Sequence, residues 1–356
     1  MDLADLDYDL PKGFIANYQA KPRDTSRFLV VSRSNGRLLH YRFRELENLL
    51  SERDVLVLNQ SKVFPARLKF IRSNGREWEL LLIKSVEEDT WEAMSKPGLR
   101  VGQQLKISEF LSAVVMDKDS ETGYIIVRFN KVGEELQRII DEIGLVPIPP
   151  YVTRNAADPR LKQEYQTVYA TKSGSVAAPT AGLHFTKSLL NKLKQKGVQI
   201  EYVTLHVGPG TFQNLREENI KTKFLHIEEY EIQPDVSWRL NEAKRKGKRI
   251  VTVGTTTTRV LETSVLNAKE GIVMGGKGET GLFIYPPYKF KFVDSLITNF
   301  HLPKSSLLML VSAFVSVPNT AAQFKDFRSS LIGKVYREAI RQKYRFYSFG
   351  DAMWIQ

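Results

Sequence analysis

Between Pro65 and Asn130 this chain reads as one hairpin after another, and beyond residue 165 it reads as strands alternating with helices. In the first stretch the runs LKFIR, EWELLLIKSV, TWEAM, AVVMD and GYIIVRF are separated by the turn signals SNG, EED, KPG and DSETG. Short strands spaced by such turns make a small antiparallel barrel or sandwich. The second stretch offers the strands VQIEYVTLHV (198–207), KRIVTVG (248–254), LFIYP (282–286), FVDSLITNF (292–300) and the final RFYSFGDAMWI. Helices fall between them. Thr186 caps one from Ser188 to Lys196, with Leu189, Leu190 and Leu193 on one face. Others are expected around Arg259–Ala268, from Ser305 or Ser306 through LLMLVSAF, and from Phe324 to Tyr344.

Strand–helix alternation argues for an α/β domain with a mixed or mainly parallel sheet. Two strands before the hairpin-rich stretch belong with it: Phe28–Val31, and Asp54–Asn59, which is almost wholly apolar and so buried on both faces. The expected organisation is therefore discontinuous. Residues 1–62 and 150–356 form the α/β domain, and residues 63–149 are an inserted barrel-like domain closed by a helix at Glu134–Ile143 and the Pro-rich VPIPPY. A length of 356 residues accommodates two such cores.

Composition narrows the chemistry. There is no cysteine, which excludes disulfides, thiolate nucleophiles and cysteine-ligated metals. The N-terminus MDLADLDYDLP is acidic and lacks a basic-then-apolar leader, and the longest apolar run, Leu307–Val317, is too short for a bilayer. A soluble, cytoplasmic protein is expected. The net charge of +12 favours a polyanionic partner. Lys187, Lys192, Lys194 and Lys196, then Lys244, Arg245, Lys246, Lys248 and Arg249, then Lys334, Arg337, Arg341, Lys343 and Arg345 surround the motifs below in sequence. Solvated helix faces would look the same. Tyr151, Tyr165, Tyr169, Tyr285 and Tyr288 offer stacking surfaces for bases, or are ordinary core tyrosines.

Four of the five histidines lie in runs of small, hydroxyl and turn residues: His184 in SGSVAAPTAGLHFT, His206 in VTLHVGPGTF, His226 in FLHIEEYEI and His301 in ITNFHLP. Histidine exchanges a proton near neutral pH, and small neighbours let a ligand approach the backbone. His206 and His301 follow strands, as does the run VGTTTTRVLE, and ligands of α/β sheets sit at strand C-termini. VGTTTTRVLE has the form strand, glycine, hydroxyl-rich turn, helix start. It lacks the lysine of a P-loop and the spaced glycines of a dinucleotide fingerprint. A carboxylate or a ribose suits such a turn, and a plain threonine-rich cap would leave the same trace. His226 with Glu228 and Glu229 forms either an oriented acid–base pair or a charged surface strand. No two histidines have zincin spacing, and no G-x-S-x-G elbow is present.

Ten segments taken together carry a family resemblance. They are DLPKGFIA, PRDTSRFLVV, DVLVLNQSKVFPARL, WEAMSKPG, YQTVYA, GSVAAPTAGLHFT, TLHVGPGTF, VGTTTTRVLE, LFIYPPYKFKFVDSLITNFHLPKSSLLMLVSAF and YRFYSFGDAM. The chain resembles, in order and over its whole length, the S-adenosylmethionine:tRNA ribosyltransferase-isomerases of the queuosine pathway. Departures are small: Gln60-Ser61 stands where the family has Asp-Thr, Pro209, Thr257 and Pro287 replace its usual residues, and a histidine preceding FLHIEEY is lost.

The resemblance implies S-adenosylmethionine as cosubstrate, no metal, and a tRNA carrying the wobble queuosine precursor as partner. A monomer is expected, since nothing demands a second subunit. In the family's proposed mechanism a base removes a proton beside the sulfonium, the ribose opens with loss of adenine, and the tRNA amine attacks. Ring closure expels methionine and leaves epoxyqueuosine. That chemistry places His184, His206 and His301 in proton transfer. It places Thr255, Thr256 and Thr257, with Gly182 and Gly208, around the cosubstrate, and Glu228, Asp294 and Asp351 as further candidates. The competing expectations are an S-adenosylmethionine-dependent tRNA methyltransferase and a non-catalytic tRNA-binding protein.

Overall fold

The computed structural model describes residues 3–71, 75–212, 215, 217–268 and 270–356. Strands β1 (Arg27–Val31), β2 (Leu38–Arg42) and β3 (Asp54–Asn59) come first, then the short β4 (Ser61–Val63). The hairpin-rich stretch supplies β5 (Arg67–Ile71), β6 (Glu77–Ser85), β7 (Thr90–Lys96), β8 (Gln104–Lys106), β9 (Ser112–Lys118) and β10 (Ile125–Phe129). After it follow β11 (Lys172–Ser175), β12 (Gln199–Leu205), β13 (Phe224–Ile232), β14 (Arg249–Val253), β15 (Gly276–Leu282), β16 (Ser295–Asn299) and β17 (Ala352–Ile355).

Nine strands build the large sheet, in the order β15-β13-β12-β3-β14-β16-β17-β1-β2. β12, β3, β14 and β16 run parallel, and β17 pairs parallel with β1. The remaining neighbours are antiparallel. The sheet is thus mixed, with only its centre of the parallel kind that buried apolar strands favour. Alternation along each strand divides two cores. Leu29, Val55, Val57, Val203, Leu296 and Met353 face helices carrying Val236, Leu240, Val260, Leu261 and Met309. Phe28, Val30, Leu56, Leu58, Val251 and Trp354 face the helix bearing Leu189, Leu190 and Leu193. β3 is buried at all six positions because it contributes to both cores.

The hairpins form a six-stranded antiparallel sheet, β5-β6-β7-β10-β9-β8, whose outer strands β5 and β8 approach each other so that it nearly closes. Period-two alternation fills it: Leu68 and Phe70 point inward while Lys69 and Ile71 stay exposed. The helix Gly133–Ile143 seals it with Leu136 and Ile140. β4, at the junction, pairs with β11 instead of with either larger sheet.

Three sequence expectations shift. The helix after β14 begins at Thr255, not near Arg259, and runs to Asn267, so the threonines are its first turn. LFIYP is not a strand. The edge strand β15 lies upstream, held in register against β13 by pairs such as Thr280 with Glu228, while Phe283 and Ile284 turn into the core and two prolines that follow have no N–H to offer a ladder. The helix expected from Phe324 shortens to Leu331–Arg341 because Ser330 caps it, accepting from the Gly333 N–H at 3.1 Å. Among the described residues no helix is long and apolar enough to cross a membrane.

Candidate active site

The parallel strands bring their ends to one edge of the large sheet. Just beyond them stand His206 after β12, Gly254–Thr256 after β14, and Phe300–His301 after β16. β17 runs the other way, so Asp351, one residue beyond the Asn299–Ala352 pair, reaches the same edge. β1 follows β17 in register and brings Ser26 there.

Two hollows flank this edge. The larger is a cleft of about 860 Å³ between the small barrel and the large sheet. Lys84 and Trp91 come from the barrel, Leu136 and Gln137 from its sealing helix, and His206, Gly208, Glu228 and Glu229 from the sheet. The smaller, about 70 Å³, is walled by Pro179–Ala181, Gly254–Thr256, Asn299–Leu302 and Tyr347. Val207 borders both.

Gly254 starts the small cavity's main wall. Its φ of +89° is open to glycine but costly for other residues, and it turns β14 directly into the helix Thr255–Asn267. A helix's first N–H groups have no intrahelical acceptor and carry its positive dipole end. Thr255 and Thr256 face the cavity at that point. Thr256 is 8 % exposed, and its Oγ1 is buried without a hydrogen-bond partner among the described residues. Thr257 differs: it is wholly buried and its hydroxyl donates to the Val253 carbonyl at 2.7 Å. A second helix, Ser306–Phe314, starts at the same cavity, with Ser305 accepting from the Leu308 N–H at 3.2 Å.

The histidines fall into distinct settings. His184 is turned into the protein and borders neither hollow. The Asn299 amide donates to its Nε2 at 3.0 Å, which leaves the ring proton on Nδ1 to meet the Ser26 hydroxyl at 2.9 Å. Its ring stacks on Phe43. Burial, with the charges of Arg345 and Arg23, pushes its pKa down to about 3. His301 borders the small cavity with its Nε2 3.0 Å from the Thr298 hydroxyl, and burial pushes it down to about 3 as well. Its backbone is pinned by Tyr336, whose hydroxyl accepts from its N–H at 2.8 Å. His206 faces the cleft. Its Nδ1 is buried and has no partner among the described residues, and burial lowers its pKa against the opposing pull of Glu229 and Glu231.

Glu228 is 3 % exposed and bridges to the Arg259 guanidinium, itself 6 % exposed. It also accepts from the Gly208 N–H at 3.0 Å, which assigns Gly208 a backbone role on the cleft wall. Burial would raise this carboxyl, but Arg259, His226 and the Gly208 N–H outweigh it and bring it to about 2. Gly182 sits in a tight turn against Tyr169, where a Cβ would stand 2.1 Å from the tyrosine hydroxyl, and borders neither hollow. Asp351 is 1 % exposed, with its oxygens taken by the Arg27 and Arg345 N–H groups at 2.9 and 2.8 Å.

Asp294 lies apart from the other candidates. It precedes β16, at the opposite edge of the sheet, where it accepts from the Ile250 N–H at 2.8 Å and from Lys244 at 2.6 Å. The five residues of β16 separate it from the site by about 16 Å. The basic runs also divide in space. Lys244, Lys246, Lys248 and Arg249 lead into β14, and Lys194 and Lys196 lead into β12, so both groups lie at that far edge and do not ring the site. The tyrosines divide likewise: Tyr151 borders the small cavity, stacked on Tyr347 at 4.7 Å, while Tyr165 is fully buried and Tyr288 donates to buried Glu262 at 3.0 Å.

Sequence reading missed Ser26, Arg259, Asn299 and Tyr347. Arg259 and Asn299 lie inside quoted motifs, but nothing local distinguishes an arginine that holds a carboxylate from one on a helix surface. Gln60 is tied into the polar network: Thr171 donates to its Oε1 at 3.1 Å and its amide donates to Thr204 at 3.3 Å.

Among the described residues no group of three or more His, Asp or Glu is arranged for a metal. Residues 3–355 match the family model described as "Queuosine biosynthesis protein". A Thermotoga petrophila protein named S-adenosylmethionine:tRNA ribosyltransferase-isomerase is 46 % identical over 358 residues, covering 100 % of both chains. A Fusobacterium nucleatum protein of the same name is 44 % identical, covering 99 % of this chain and 96 % of its own. The crystal structure of S-adenosylmethionine tRNA ribosyltransferase from Thermotoga maritima aligns with a TM-score of 0.54 at 38 % identity, over 99 % of this chain and 100 % of that one. With residues 3–355 matched by the family model and relatives of 44–46 % identity matched over nearly the whole chain, the chain belongs to the queuosine biosynthesis family.

Proposed function

We propose that the protein transfers the ribosyl group of S-adenosylmethionine to the aminomethyl-deazaguanine at the tRNA wobble position and isomerises it to epoxyqueuosine, releasing adenine and methionine. The observation that carries this reading is the helix start at Thr255–Thr256, its Thr256 hydroxyl buried without a partner among the described residues, in a cavity that shares Val207 with a cleft large enough for a nucleoside, in a chain matched along its whole length. The methionine carboxylate suits the first N–H groups of that helix and the Thr256 hydroxyl. His206, at the cleft with an unpartnered nitrogen, and His301, at the small cavity, are placed for proton work. Both nitrogens of His184 are spent on Ser26 and Asn299, so its role is to hold the Asn299 wall of the cavity. Glu228 and Asp351 act as anchors, and the wobble nucleoside enters through the cleft.

The same reading divides the chain into an α/β domain of residues 1–62 and 150–356 and a barrel domain of residues 63–149, working as a cytoplasmic monomer. Incubation with S-adenosylmethionine and tRNA bearing the precursor tests it. Adenine and methionine released together, with a matching mass gain on the nucleoside, is the expected result. S-adenosylhomocysteine would make it a methyltransferase, and tRNA binding without donor consumption would leave a binding protein.

A further inference from the structure

His226 lies on β13, two residues before Glu228, and its surroundings differ from those of the other histidines. Its side chain is 30 % exposed, and its Nε2 stands 3.2 Å from Glu228 Oε1, within ion-pair range though off the line of a hydrogen bond. That carboxylate is itself held by Arg259 and the Gly208 N–H, and the Thr211 hydroxyl is 3.4 Å from it. Gly210 lies over the face of the imidazole: a Cβ built there would be 2.3 Å from Nδ1 and 2.5 Å from both Cε1 and Cγ. Nearly equal distances to three adjacent ring atoms put the glycine above the ring plane, so any side chain at 210 would displace the ring. One face and one edge of the imidazole are thereby held. The ring borders a recess that also takes in Thr255 and Thr256, so it looks toward the underside of the helix start assigned to the methionine carboxylate. Among the described residues, the charged groups facing it are Glu228 from its own strand and, behind that carboxylate, Arg259 from the helix.

A histidine oriented by a buried carboxylate is the arrangement that general acid–base chemistry uses, because the carboxylate fixes the ring and favours its protonated form. We infer that His226 is the proton donor to departing adenine, with Glu228 as its positioning residue. This rests on the ribosyl-transfer reading. As the bond between the ribose and the adenine nitrogen breaks, its electron pair stays on adenine. The imidazolium passes one proton to that base, which leaves neutral, and the neutral imidazole regains a proton from solvent.

The test is single-turnover adenine release by the full-length protein with S-adenosylmethionine and precursor tRNA, from pH 5.5 to 9, for wild type and His226→Gln. Calorimetry measures donor binding in parallel. A general acid is worth about 100-fold or more. The expected result is a loss of that size in His226→Gln with donor affinity kept, and partial rescue of His226→Ala by added imidazole. In Glu228→Gln adenine release should fall while donor affinity is kept, because the ring loses the carboxylate that orients it. Wild-type rate and profile in His226→Gln overturn the proposal, as does a rate loss matched by lost donor binding, which marks a structural role. A wild-type protein that releases no adenine removes the ribosyl-transfer reading and this inference together. Should Glu228→Gln not fold, the His226 variants decide alone.

Discussion

At the scale of single residues, burial separates groups that share a chemical identity. His184 and His301 are held neutral by desolvation, with pKa values near 3, whereas the unfolded chain protonates them near the ordinary value of 6.5. The unfolded state therefore binds more protons below pH 6.5, and stability falls as pH drops from 6.5 toward 3. Glu228 adds a second acid-side loss, because its native pKa is about 2 against an ordinary 4.5. Urea unfolding midpoints should decline steadily from pH 7 to pH 4, and His184→Gln should flatten that decline; an unchanged slope in the variant would contradict the burial argument. Thr256→Val keeps shape and removes the unpartnered hydroxyl. It should raise the KM for S-adenosylmethionine about tenfold, roughly the value of one hydrogen bond to a charged group, with little change in stability. The residue types at these positions were readable in advance. Which histidine faces a cavity and which is spent on Ser26 and Asn299 was not, since both partners are more than 100 positions away in the chain.

At the scale of elements, caps and anchors decide where helices and loops end. Thr186 and Ser305 cap helices where the sequence signals place them, because a cap is a contact across three residues. The start of the helix after Gly254 and the edge strand β15 depend on the neighbouring sheet and were misjudged. Glu262 shows how far such anchoring goes. It is fully buried in that helix and accepts from the Tyr288 hydroxyl and from the N–H groups of Lys291, Phe292 and Val293. The loop leading into β16 is thus fastened to the helix that opens at the site. Glu262→Ala removes the acceptor of three backbone donors, of which those of Phe292 and Val293 are buried, and should cost roughly 3 kcal/mol in chemical denaturation. A loss below about 1 kcal/mol would mean that the loop is held by other interactions.

For the whole molecule, charge distribution yields the clearest prediction about the partner. Lys62, Lys84 and Lys162 border the cleft, while Lys246 and Lys248 border a separate hollow at the far edge of the sheet. If tRNA enters through the cleft, alanine at the first three should weaken binding and lower the salt slope by roughly one for each phosphate no longer neutralised. The pair Lys246→Ala and Lys248→Ala should leave both unchanged; the reverse pattern in filter binding across a salt series would place tRNA on the other edge. By itself the sequence determined the strand runs, the hairpin-rich stretch, the helix caps and the motifs, because periodicity and capping act over a few neighbouring residues. Only the tertiary structure decided the mixed strand order, the placing of Asp294 and of the lysines and arginines leading into β12 and β14 at the far edge, and the joining of Glu228 to Arg259 and His226. Those outcomes depend on which strands lie side by side and in which direction, and that is settled by packing between segments far apart in the chain.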